Sequence, residues 1–119
     1  MLLKKTLKLS KLEFYKKHIS IINALFVPDK TKLSVREIEV LALLLYHTSG
    51  LSEEYTFATI TRNKVMASMG ISHGGLANYL NQLKNKGVIN TKDNKINKAF
   101  YPLTNKEQEY QIKLEVNGN

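Results

Sequence analysis

Residues 61–89 read TRNKVMASMGISHGGLANYLNQLKNKGVI, and their pattern is that of two short helices joined by a turn. Thr61 is a candidate N-cap for the first, and Val65, Met66 and Met69 recur at the three- and four-residue spacing that lines one helical face. Gly70 ends that helix, because glycine takes the left-handed backbone conformation without steric cost, and Ile71 supplies an apolar side chain to tuck between the two helices. Ser72 is a natural N-cap for the second helix, whose Leu76, Leu80 and Leu83 fall four and three apart as a buried stripe. Gly87 stops it, and Val88 and Ile89 open an extended segment.

With those leucines turned inward, the second helix presents His73, Gly75, Asn78, Tyr79, Gln82 and Lys86 to solvent. That face is polar, free of acids and roughly 20 Å long at ~1.5 Å rise per residue, dimensions that suit a DNA major groove. The run M-G-I-S-x-x-x-L-x-x-x-L-x-x-L-x-x-K-G-V-I resembles the second and third helices of winged helix-turn-helix proteins such as MarR-type repressors, closely over about 30 residues and loosely over about 70. The resemblance implies DNA binding through the second helix, followed by a β-hairpin wing.

The chain has 119 residues, enough for one small core, with 43% apolar and 24% charged residues as in ordinary globular proteins. It has no cysteine, so a disulfide framework, a thiolate metal site and a cysteine nucleophile are all excluded. Residues 1–9 alternate lysine with leucine and lack the continuous apolar run of a secretory signal, and the longest apolar stretch, residues 40–46, is too short to span a bilayer. A cytoplasmic bacterial or phage protein is expected, either nucleoid-associated or working in a phage-infected cell.

The net charge of +8 is unevenly placed. Residues 1–32 hold eight lysines and two acids and residues 61–106 hold eight basic residues and one acid, whereas residues 33–60 hold one arginine and four glutamates. A polyanionic partner is favoured, because each phosphate neutralised releases counterions; a solvated lysine-rich surface is the bland alternative. Only Arg36 and Arg62 are arginine, so bidentate reading of guanine should be sparse.

Along the chain, residues 1–9 fit an extended arm or a strand. Ser10 and Glu13 make a capping-box pattern opening a helix whose Leu12, Tyr15, Ile19, Ile22 and Phe26 form one stripe. Pro28 terminates it. This added helix either covers its own core or packs against a second subunit. Ser34 and Glu37 form a second capping box, opening a helix over 35–47 with apolar residues around most of its circumference. Its wording, LSVREIEVLALL, is similar to the first helix of LuxR-type DNA-binding domains, which implies a scaffold role. Residues 51–60 hold a short β-prone strand or a loop with a single helical turn. Strand, polar turn and strand follow over 88–91, 92–95 and 96–103, with Asp93 and Asn94 suited to the tight turn. Residues 110–116 alternate as a half-buried strand does and can pair with the N-terminal arm.

Chemistry finds no candidate site. His18, His47 and His73 sit on three separate elements, Glu53-Glu54 reads as a solvated loop pair, and Gly74-Gly75 lacks the strand and lysine-serine pair of a phosphate loop. The expectation is therefore a mainly α (α+β) winged helix-turn-helix protein with an added N-terminal helix and a small antiparallel sheet. Residues 1–32 form the arm and first helix, 33–104 the winged helix, and 105–119 a strand or tail. It is expected to be non-enzymatic, without metal, cofactor or small-molecule substrate, and to bind double-stranded DNA as a homodimer through its N-terminal helix, its C-terminal strand or both. Base-facing residues are His73, Gly75, Asn78, Tyr79 and Gln82, of which Asn78 and Gln82 can pair with adenine. For His73 a helix-capping surface role is the alternative. Phosphates fall to Arg62, Lys64, Ser72, Lys84, Lys86, Lys92, Lys95 and Lys98. The rival reading keeps the fold and makes the same face a protein-binding surface of an assembly or adaptor module, a phage component or replication factor.

Overall fold

A computed structural model of the chain describes residues 7–102 together with Tyr110. The described part is mainly helical, with four α-helices and one two-stranded antiparallel sheet. Predicted features at residues 1–6 and 103–109, and the C-terminal strand apart from Tyr110, lie outside the described residues.

Helix α1 (Lys11–Phe26) starts where Ser10 caps it, the hydroxyl accepting from the Glu13 amide at 3.3 Å. The capping box is incomplete: the Ser10 hydroxyl donates to the Glu13 carboxylate at 2.8 Å. Tyr15, His18 and Ile19 are buried, and Leu12 and Ile22 pack on the core's edge, but Phe26, expected on the stripe, is 62% exposed. Helix α2 (Val35–Thr48) opens on a complete capping box, with Glu37 N–H on the Ser34 hydroxyl and Ser34 N–H on the Glu37 carboxylate. Its residues 40–45 are all buried, which makes it the central element against which α1, α3 and α4 all pack. Residues 51–60 take the helical-turn alternative, a 3-10 turn at Glu53–Tyr55.

Helix α3 (Thr59–Met69) begins before the predicted N-cap. Ala58 occupies that place, and Thr61, instead of capping, buries its side chain and donates from its hydroxyl to the Tyr55 carbonyl at 2.7 Å. The preceding 3-10 turn supplies an acceptor that sequence spacing does not reveal. Gly70 closes α3 in the left-handed conformation at φ 65°, with the Ile71 amide reaching back to the Met66 carbonyl.

Helix α4 (His73–Asn85) is capped by Ser72, whose hydroxyl accepts from the Gly75 amide at 3.0 Å. Leu76, Leu80 and Leu83 are 0, 9 and 0% exposed. Gly87 at φ 79° ends it in a Schellman motif: Val88 N–H bonds to the Leu83 carbonyl and Gly87 N–H to that of Lys84. Strands β1 (Ile89–Asn90) and β2 (Lys95–Ile96) then pair, Ile89 opposite Ile96 and Asn90 opposite Lys95, around a turn with Asn94 at φ 55°. The second strand is much shorter than predicted. Asn97 accepts from the Ala99 amide on its side chain and bends the chain into a 3-10 turn, Lys98–Phe100, which returns Phe100 to the core.

Candidate nucleic-acid interface

At 100° per residue, a helix that buries Leu76, Leu80 and Leu83 turns Gly74, Asn78, Asn81 and Asn85 most directly outward. All four are exposed. The side-chain amides of the three asparagines make no hydrogen bond among the described residues. Asn81 and Asn85 were not among the expected base-facing residues, although their angle from the leucine stripe turns them outward. No acid lies on α4.

Several expected site residues lie on the margins of this face. His73 is exposed at its start, with Nε2 2.9 Å from an Arg62 guanidinium nitrogen that donates to it, so this contact requires a neutral ring nitrogen there. Gly75 is half-buried under the cap, where an added Cβ would meet the Ser72 Oγ at 3.4 Å. Gln82 is half-buried. Tyr79 is also half-buried and packed on the core's edge beside Arg36 of α2, whose guanidinium is held above its ordinary pKa chiefly by Tyr79 and further by Glu39. Tyr79 therefore belongs to the seam between α2 and α4.

The expected phosphate residues also divide. Lys86 turns back into the fold, its Nζ 2.6 Å from a Glu37 carboxylate oxygen and 2.8 Å from the Lys32 carbonyl. Burial pushes the Glu37 carboxyl up, but the Lys86 ammonium and the Ser34 amide outweigh it and hold the carboxyl below the ordinary range. Lys95 reaches Glu53 at 3.5 Å across an open cleft that Glu54 and Asp93 also line. Lys64 is exposed on α3; His47 is shifted below its ordinary pKa chiefly by burial and further by the Lys64 charge. Lys84 is half-buried, and Lys92 and Lys98 are exposed without an ion pair among the described residues. Among the described residues α4 carries no acid, and Lys92 and Lys98 are basic without an ion pair, while Asp93 in the hairpin turn and Glu54 beside it are exposed carboxylates.

Among the described residues no three His, Asp or Glu side chains group closely enough to hold a metal ion, and no helix is long and apolar enough to cross a membrane. No protein-family model, curated protein or solved structure matches this chain.

Proposed function

We propose that this is a winged-helix DNA-binding protein, non-enzymatic and cytoplasmic, acting as a small transcriptional regulator. In this reading α3 and α4 are the helix-turn-helix, α4 enters the major groove, and the β1–β2 hairpin is a wing resting on the phosphate backbone. The observation that carries it is the outward side of α4, where exposed amides without a partner among the described residues, and no acid, sit on a helix fixed by three leucines and capped at both ends. Lys64, Lys84, Lys92 and Lys98 supply the backbone contacts, with Arg62 and Ser72 at the helix start. Lys86 is left out, because its ammonium already neutralises Glu37.

Dimerisation through α1 belongs to the same reading and draws on Leu25 and Phe26, both exposed near the helix's end. The adaptor reading draws on a different feature, the carboxylates of Glu53, Glu54 and Asp93 beside the hairpin tip, which would repel a phosphate backbone. A fluorescence-anisotropy titration against unrelated 20-base-pair duplexes separates the two. DNA binding through about four lysines predicts a log–log salt slope of roughly −4. Absence of binding at low salt would favour the adaptor.

A further inference from the structure

We propose that α4 selects its DNA by reading adenine, so that preferred sites carry a short A·T core. This rests on the DNA-binding reading above and specifies which bases it recognises. Asn78, Asn81 and Asn85 lie within ~60° of one another around the helix axis, and span ~10 Å along it, about three base-pair steps. They form a single ladder of exposed amides, uncommitted among the described residues.

An asparagine amide has an acceptor oxygen and an NH2 with two donor hydrogens on the same carbon, a pair that matches the N6 amino group and N7 of adenine in the major groove. Guanine presents two acceptors, N7 and O6, and is read chiefly by arginine or lysine; the cytosine amino group is read by a carboxylate. The outward side of α4 carries neither. The two arginines are on other helices, outside the ladder: Arg36 on α2 pairs with Glu39 at 3.0 Å, and Arg62 on α3 donates to His73 at the start of α4. On α4 itself, Lys84 is half-buried to one side of the ladder, and Lys86, just beyond the helix, is held by Glu37. Amide chemistry is therefore what the centre of the face offers to a base edge.

The test is selection of the full chain against a pool of random-sequence duplexes, followed by titration of the enriched site. The expected core is A·T base pairs over about three positions. Replacing a core adenine by 7-deazaadenine, which removes only the major-groove N7, should weaken binding roughly tenfold. Asn81→Ala should relax one core position without changing the salt slope, and Asn81→Asp should move that position toward cytosine. A G·C core, salt-dependent binding without sequence preference, or an A·T preference indifferent to 7-deazaadenine would each overturn the inference while leaving DNA binding intact. Failure to bind any duplex at low salt would remove both.

Discussion

The outward side of α4 is aimed by how α4 is fastened to α2, and the fastening that most invites perturbation is Glu37 with Lys86. Glu37 is 1% exposed, accepts from the Ser34 amide at 2.7 Å and from Lys86 at 2.6 Å, and so joins the start of α2 to the end of α4. Removing one partner of a buried ion pair costs about 3–5 kcal/mol. For Glu37→Ala the loss should be smaller, about 2–3 kcal/mol, because the Lys86 side chain is 27% exposed and its ammonium can turn to water. Glu37→Gln keeps an acceptor for both donors and should cost roughly 1–2 kcal/mol. Lys86→Met strands a buried carboxylate and should cost the full ~3–5 kcal/mol at neutral pH.

Acid changes that order. In the native protein the Glu37 carboxyl is held below its ordinary pKa, so its stabilisation is present above about pH 4.5 and is lost as the pH falls through the folded-state value. In Lys86→Met burial is opposed only by the Ser34 contacts, so the carboxyl is easier to protonate than in the native protein, the penalty relaxes on acidification and the gap to the native protein narrows. Urea unfolding followed by circular dichroism at pH 7 and near pH 4.5 measures this directly. Glu37→Ala and Lys86→Met both within about 0.5 kcal/mol of the native protein, or a pH-independent gap, would refute the assignment.

Three further outcomes follow from the same structure. His18 is buried, which moves its pKa below the ordinary 6.5, so its stabilisation is present above pH 6.5 and is lost as the pH falls; the melting temperature should decline on acidification from pH 7 to pH 5, and His18→Gln should flatten part of that decline. Gly87→Ala should cost about 1–2 kcal/mol in urea unfolding, a purely conformational penalty, because nothing lies within 4 Å of the added methyl group while φ is +79°. Replacing Lys92 and Lys98 together by alanine should leave stability within about 0.5 kcal/mol and make the salt slope of DNA binding shallower by roughly 1.8, whereas an unchanged slope would place the hairpin turn and the 3-10 turn after β2 away from the phosphates.

Local chemistry was legible in the sequence. The Ser34–Glu37 box, the Ser72 cap, the glycines at 70 and 87 and the Leu76, Leu80 and Leu83 stripe all act within one or two helical turns, and each is found where its spacing puts it. What depended on distant partners was not. Lys86 pairs with a residue 49 positions away, Thr61 is claimed by a carbonyl of the preceding turn, and His18 Nδ1 lies 2.6 Å from the Tyr110 hydroxyl. Tyr79 is half-buried on the core's edge beside Arg36, a residue of α2. The outward asparagines are a separate case: Asn81 and Asn85 follow from helical geometry once the leucine stripe is known, and polarity alone did not single them out.

The central claim is that the amide side of α4 lies against duplex DNA. It is tested most directly by titrating a duplex into 15N-labelled protein at low salt and following the side-chain amide resonances. Asn78, Asn81 and Asn85 should shift at least as strongly as any other side chain, with the backbone of residues 92–98 moving alongside them. Shifts confined to α1 or to the cleft at Glu53 and Glu54, with those three amides unmoved, would contradict it.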